Sequence, residues 1–352
     1  MTWAPVHSER SQSAIISSKD KVSMKSIPVS CYQSSATVKS ASVPAQNHET
    51  EPESRERTQR RQPRVTQRAT ISKRVWNRLL IAMNIPILLS ELFHDETGKE
   101  YGVGLFTKLR LVYLMARNRK RVTTGSHFLE HLLMATQILK VPKSVLGCVV
   151  ECGSYKGGSA TNLSLVCELC DRKLEIFDSF EGLPAPEKED KEHMLIGLRR
   201  VHSYEQGAWC GTLPEVQRNI ATHGQISVCN FNRGFFDQTL PGFNQPCILV
   251  FADVDLTTSL ETCIKYLWPL LQKGSYLFTH EAQHLEISAL FFDKPWWRSN
   301  LNCSAPGLIG AGTGIGLLPE RGGYSSDLGF TIKNPIVESF VEDPQTGGRG
   351  RG

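Results

Sequence analysis

The stretch Val149-Val150-Glu151-Cys152-Gly153-Ser154-Tyr155-Lys156-Gly157-Gly158-Ser159-Ala160 limits the fold of this chain more than any other. A short β-branched run, an acid, a glycine turn and a small-residue helix start describe one strand-turn-helix unit. A second apolar run, Leu174-Glu175-Ile176-Phe177, follows after one helix and ends on another acid, Asp178. Parallel strands joined by a helix belong to an open α/β sheet, whose ligands sit outside the carboxyl ends of the strands. Gly153 would let a ligand approach the backbone there, and Gly157 and Gly158 would allow tight packing of strand against helix. The spacing departs from G-x-G-x-x-G, so the dinucleotide fingerprint is not met. Glu151 suits a cationic or hydroxyl-bearing group better than a pyrophosphate, and Asp178 can accept hydrogen bonds from ribose hydroxyls. The pair therefore points to a nucleoside ligand. The plainer alternative is a glycine turn with incidental acids.

From Gly147 onward strand and helix patterns alternate, which predicts a mostly parallel sheet with right-handed crossovers and helices on both faces. Strands are expected at 148–152, 174–178, 226–230, 247–253 and 275–279, with two more at 314–318 and 330–332. Helices are expected at 157–170, 212–223, 257–271 and 282–292. Residues 180–210 carry Pro184, Pro186 and the charged run from Glu187 to Glu192. Such a long irregular insert reads as a lid or binding loop, in which Tyr204 and Trp209 could cover a substrate.

Residues 73–146 show helical spacing, as in Val75, Leu79, Leu80 and Met83, and again in Phe128, Leu129, Leu132 and Leu133. They predict a helical N-terminal cap. Residues 1–72 hold eleven Lys/Arg and six Asp/Glu, which accounts for the whole net charge of +5. This segment is too poor in large apolar side chains to offset its ordering entropy, so a disordered basic tail is expected. A flexible Gly/Arg tail is expected over 336–352, leaving 147–335 as the sheet domain.

No run of about 18 apolar residues is present, so no membrane span is expected. A secretory signal core is also missing, which suits a cytoplasmic protein; the Ser-rich tail keeps organelle targeting open. The ten cysteines are scattered through apolar contexts, as small buried thiols are in a reducing compartment. Cys167-x-x-Cys170 has no second pair and reads as helix packing rather than a metal site. The near-neutral charge of residues 73–352 disfavours a nucleic-acid groove. Association into a homo-oligomer is compatible with the sequence.

Phe251-Ala252-Asp253-Val254-Asp255-Leu256 places two carboxylates where a strand runs out at the ligand edge. The next strand ends Phe278-Thr279-His280-Glu281, adding an imidazole and a third carboxylate. Asp253, Asp255, His280 and Glu281 thus form a candidate metal-assisted or general-base site. The alternative is a set of loop and helix-capping residues. His284 and Glu286 read as a solvated helix face. Arg233-Gly234-Phe235-Phe236-Asp237-Gln238-Thr239-Leu240-Pro241 could line an adenine pocket through its aromatic pair.

Taken together, Glu151 to Gly158, Asp178-Ser179-Phe180-Glu181-Gly182-Leu183-Pro184, Gly234 to Pro241 and Asp253-Val254-Asp255-Leu256 resemble the macrocin O-methyltransferase family over about residues 147–292. The resemblance implies a Rossmann-like class I methyltransferase with a seven-stranded sheet. It also implies an S-adenosylmethionine-dependent enzyme that methylates a hydroxyl of a small natural-product or sugar-like acceptor. The implied cofactor contacts are Glu151, Gly153, Ser154, Tyr155, Gly157, Gly158, Asp178, Ser179, Phe235 and Asp253. Asp255 and His280 are the implied catalytic residues, and Asp253, His280 and Glu281 the implied metal ligands. The family shows two adjacent acids where this chain has His280-Glu281. Imidazole is a poor ligand for Mg²⁺, so a transition metal or a metal-free base would suit the altered pair better. A nucleic-acid or protein methyltransferase, or a methyltransferase fold turned to binding alone, are the competing readings.

Overall fold

The protein is described by a computed structural model that covers residues 86, 89–195, 201–310 and 327–333. The tail expected over 1–72, most of the first helical run, the strand expected at 314–318 and the Gly/Arg tail at 336–352 lie outside those residues.

After a helical segment that ends at Phe93 and a 3₁₀ turn at Lys99–Tyr101 come α1 (Leu105–Asn118) and α2 (Phe128–Lys140). The start of α2 is fixed by a reciprocal cap: His127 accepts from the Leu129 amide, and Glu130 accepts from the His127 amide. The alternating part follows as β1 (Cys148–Cys152), α3 (Gly158–Leu169) and β2 (Leu174–Asp178), then the short pair β3 (His193–Met194) and β4 (Val201–His202). Next come α4 (Leu213–His223), β5 (Cys229–Arg233), α5 (Phe236–Thr239), β6 (Cys247–Ala252) and α6 (Thr257–Leu270). The described chain ends with β7 (Leu271–Thr279), α7 (Leu285–Leu290), α8 (Lys294–Leu301) and β8 (Gly329–Ile332).

The main sheet has the order β5-β2-β1-β6-β7-β8, with β8 alone antiparallel. Six strands are present among the described residues rather than the expected seven, the remaining candidate being the 314–318 segment. The third strand begins at Cys229 rather than 226, because Ile226–Val228 close a 3₁₀ turn first. The single helix expected over 282–292 is instead α7, followed by a turn at Phe291 and Phe292. The Asp293 side chain accepts from the Trp296 amide and starts α8.

The strands of the sheet centre are buried on both faces, which explains their continuous apolar runs. Val149, Ile176 and Phe251 pack into one core with α1 to α4, while Val150, Phe177 and Val250 pack into a second core with α6 to α8. The N-terminal helices thus share a core with the sheet. A buried polar chain ties them together: Asn118 donates to Asn162, Asn162 pairs with His131 Nδ1 at 2.8 Å, and His131 Nε2 pairs with Ser126 at 2.8 Å. Cys167 and Cys170 are buried free thiols at the end of α3, in keeping with the packing reading. Among the described residues no helix is long and apolar enough to cross a membrane.

From β1 the chain builds outward to β2 and β5 on one side, and β6, β7 and β8 complete the other. The order therefore reverses between β1 and β6, and the crevice outside their carboxyl ends is where such a sheet binds ligands.

Candidate active site

The residues that follow the strands at this edge are still held by the backbone ladder. Gly153 N–H donates to Phe177 O, Asp253 N–H to Cys152 O, Gly234 N–H to Asp178 O and His280 N–H to Ala252 O, at 2.9 to 3.2 Å. Gly153 is required by the switch point itself. Its φ is +82°, and a Cβ there would overlap the carbonyl oxygen of Asp253. The glycine therefore makes room for the neighbouring strand end, where the sequence suggested room for a ligand. Gly157 and Gly158 make room for Val216 and Thr124 in the same way.

Asp178 organises the turn around it. One carboxylate oxygen accepts from the Ser154 amide (2.6 Å) and hydroxyl (3.0 Å), the other from the Phe180 amide (2.6 Å). The Tyr155 amide is a further backbone donor to this carboxylate. Burial raises the Asp178 pKa even though these donors favour the charged form. The following motif is a closed turn: Ser179 donates to Gly182 O at 2.7 Å, and Gly182 has φ +90°, where a Cβ would overlap the Gly207 and Ala208 carbonyl oxygens.

A pocket of about 280 Å³ opens over these strand ends. Gly153, Tyr155, Asp178, Ser179, Phe235 and Asp253 line it on one side. Asp255, His280 and Glu281 line it further along, with His202, Tyr204 and Trp209 from the insert above. Burial, then the charge of Asp253, lifts Asp255 to about 7, and a hydrogen bond from the Tyr204 hydroxyl opposes that rise. Asp253 is also raised by burial, against the pull of His280. His280 sits between acids on both edges: Nε2 is 3.5 Å from Glu130, and Nδ1 is 3.5 Å from Asp253 and 3.6 Å from Glu281. Burial alone would lower its pKa, but Asp253, Glu130 and Glu281 outweigh that and raise it well above the usual histidine value.

The family model for macrocin-O-methyltransferase (TylF) matches residues 119–299, just over half of the 352 residues. The chain belongs to the macrocin-O-methyltransferase family. As a member, it is an S-adenosylmethionine-dependent O-methyltransferase of small-molecule hydroxyls. The match reaches back across α2, which sequence reasoning had set apart as a cap. Among solved structures the chain is similar to the O-methyltransferase NovP, with 15% identity over 73% of this chain and 99% of that one, at a TM-score of 0.41. It is also similar to CalS11, a calicheamicin methyltransferase, with 17% identity, coverage of 81% and 99%, and a TM-score of 0.40. A third is TomG from Streptomyces achromogenes, solved with SAM, at 12% identity, coverage of 64% and 89%, and a TM-score of 0.37. No match was found among curated proteins.

Within this macrocin-O-methyltransferase fold, the pocket wall brings together Gly153, Tyr155, Asp178, Ser179, Phe235, Asp253, Asp255, His280 and Glu281 of the residues picked out from sequence. Glu151, Ser154, Gly157 and Gly158 stand behind that wall. Glu151 is fully buried, accepts a hydrogen bond from Ser159 in the first turn of α3, and is raised to about 8 by burial.

His284 and Glu286 are not a solvated face, because α7 begins only at Leu285 and leaves His284 pointing inward as its cap residue. His284 is 2% exposed, lines the pocket and stacks on His193 at 4.9 Å between ring centroids. The Glu286 carboxylate accepts from the Met194 amide and lies 3.4 Å from His193. Sequence reasoning also missed Glu130 and Asp327. The only local trace of Glu130 was its capping-box spacing from His127, which shows the cap and not the second contact.

The metal ligands implied by resemblance are close enough to share an ion, since ligating atoms of Asp253, His280 and Glu281 lie within 4.8 Å of one another. The donor set does not fit Mg²⁺, which takes oxygen ligands in near-ideal octahedral geometry. Here an imidazole fills the central position, and both its nitrogens face carboxylates. A doubly protonated ring is a cation and has no lone pair to offer, either to a metal or to a substrate proton.

Proposed function

We propose that this enzyme methylates a hydroxyl of a natural-product or sugar-like acceptor, with Asp255 as the base and no magnesium ion in the step. The observation that supports this most is the convergence of Asp178, Asp253, Asp255 and His280 on one pocket at the topological switch point. Asp178, at the end of β2 in the pocket wall with the aromatic Phe235, fits the ribose of S-adenosylmethionine, and Gly153 to Tyr155 border its methionine end. When bound, this cofactor supplies an electrophilic methyl group on a sulfonium.

Asp255 would take the proton of the acceptor hydroxyl as that oxygen received the methyl group the bound cofactor would supply. Its raised pKa places it near the optimum for a general base at neutral pH. Tyr204 holds the carboxylate in place through its hydroxyl. His280, kept cationic by Asp253, Glu130 and Glu281, supplies the positive charge that the altered acid pair would otherwise take from a metal. Trp209 packs edge-on against Tyr155 at 5.4 Å between centroids, and with His202 it shields the acceptor from water.

Calorimetric titration with S-adenosylhomocysteine tests the cofactor assignment. Wild-type protein should bind it and Asp178→Ala should not. Unchanged affinity in Asp178→Ala would remove Asp178 from the ribose site.

A further inference from the structure

A second cleft, of about 530 Å³, adjoins the pocket and shares Gly125, His280 and Asp327 with it. Its outer wall is the loop from Arg119 to His127 that joins α1 to α2. This loop is built into the fold. The Arg121 and Val122 amides both donate to Asn118 O (2.8 and 2.9 Å), Val122 is buried, and Ser126 pairs with His131. Thr124 packs against Gly158 at the start of α3, where a Cβ would overlap it.

The polarity of the cleft changes along its length. Its inner end is acidic, with Glu130 and Asp327 around His280. Its outer end carries Arg119, Lys120 and Arg121, none of which makes an ion pair among the described residues. A cation at the end of α1 also complements the helix dipole, which accounts for one such residue there but not for three facing a cavity. Three cations beside the Thr123, Thr124 and Ser126 hydroxyls exceed what a single carboxylate needs and match a group with several charged oxygens.

From this geometry we infer that the cleft is the seat of a phosphate or diphosphate arm on the acceptor. The acidic inner end and cationic outer end orient that acceptor, with its reacting hydroxyl toward Asp255 and its anionic arm toward Arg119 and Arg121. The inference rests on the methyltransferase reading above and names the substrate class for it. The same chemistry could come from a nucleoside-diphosphate sugar or from a simple sugar phosphate.

Calorimetry on the full chain, preloaded with S-adenosylhomocysteine, tests the inference with inorganic pyrophosphate, UDP-glucose, glucose 1-phosphate and glucose as probes. The phosphorylated probes should bind, weaken with added salt, and lose about tenfold or more in affinity in R119E/R121E. Glucose should not bind. Tighter binding of UDP-glucose than of glucose 1-phosphate assigns a nucleoside-diphosphate acceptor, and the reverse assigns a sugar phosphate. The neutral pair R119Q/R121Q should show the same loss in smaller measure, with S-adenosylhomocysteine affinity and melting temperature at the wild-type values. Absence of pyrophosphate binding while S-adenosylhomocysteine binds would overturn the inference, as would affinities unchanged by either variant. Binding of a single-stranded RNA in place of pyrophosphate would overturn it in favour of a nucleic-acid contact. Failure of S-adenosylhomocysteine to bind while pyrophosphate still does would instead overturn the methyltransferase reading, and the acceptor assignment with it.

Discussion

Asp255 has a φ of +61°, and so do few other side-chain-bearing residues: of six among the described residues, Tyr155, Trp209 and Asp255 line the reaction pocket. A left-handed conformation costs a non-glycine residue on the order of 1–3 kcal/mol, so the surrounding structure must hold it. The turn places the Asp255 carboxylate beside Tyr204. Asp255→Asn keeps that shape and removes the proton acceptor, so kcat should fall by about 10²–10⁴ while S-adenosylhomocysteine affinity stays unchanged. A variant with wild-type kcat would rule Asp255 out as the base. Glu151 makes a different prediction, since its pKa in the fold rises from 4.5 to about 8. Between those values the folded state keeps a proton that the unfolded chain releases. Each pH unit upward in that window therefore costs the fold up to about 1.4 kcal/mol, and the loss is complete above the folded value. Gln cannot titrate. In denaturant melts, Glu151→Gln should gain stability relative to wild type from pH 5 to pH 8.5, whereas parallel curves would show that Glu151 is already ionised in the fold.

Among the elements, the insert between β2 and α4 departs furthest from its sequence reading. Its length, prolines and charge run marked it as a lid, but not what ties it down. Asp190 is fully buried and accepts from the Thr258 amide (3.2 Å) and hydroxyl. The residue at the start of α6, Leu256, has no side chain that can cap a helix, so Asp190 provides the cap from 68 residues away. Glu286 holds the Met194 amide across 92 residues. Periodicity sees neighbours within a turn or a pleat, and neither pairing leaves a local trace. The strands were legible for the opposite reason: β1, β2 and β6 are buried on both faces and spell continuous apolar runs. Asp190→Ala should cost roughly 0.5–2 kcal/mol, as a lost cap does. It should also speed amide exchange across residues 184–210 and raise the acceptor KM more than it lowers kcat. Exchange confined to α6 would show that Asp190 serves the helix alone.

At the scale of the whole molecule, the sheet order explains why both halves of the site could be read from sequence while their joint could not. Gly153 and Asp178 announce one side of the switch point, Asp253 and Asp255 the other, each as a strand ending on a polar residue. The charge balance between them depends on Glu130, which reaches His280 from α2, an element that the sequence set apart from the sheet domain. Because Asp253, Glu130 and Glu281 together raise the pKa of the imidazole, the two halves close around a charge built from protein atoms. Ligand binding should then stabilise the fold without help from a metal. A ligand bound only by the native state contributes RT ln(1 + [L]/Kd), or about 2.7 kcal/mol at a hundredfold excess over Kd. Thermal melts in saturating S-adenosylhomocysteine should show that gain equally in EDTA and in Mg²⁺, and methyl transfer should proceed at the same rate in both. Glu130→Gln leaves His280 one carboxylate short, so transfer should slow while the melting shift with S-adenosylhomocysteine persists. Loss of transfer in EDTA, restored by Mg²⁺, would show instead that the acids bind an ion and that His280 yields its place to it.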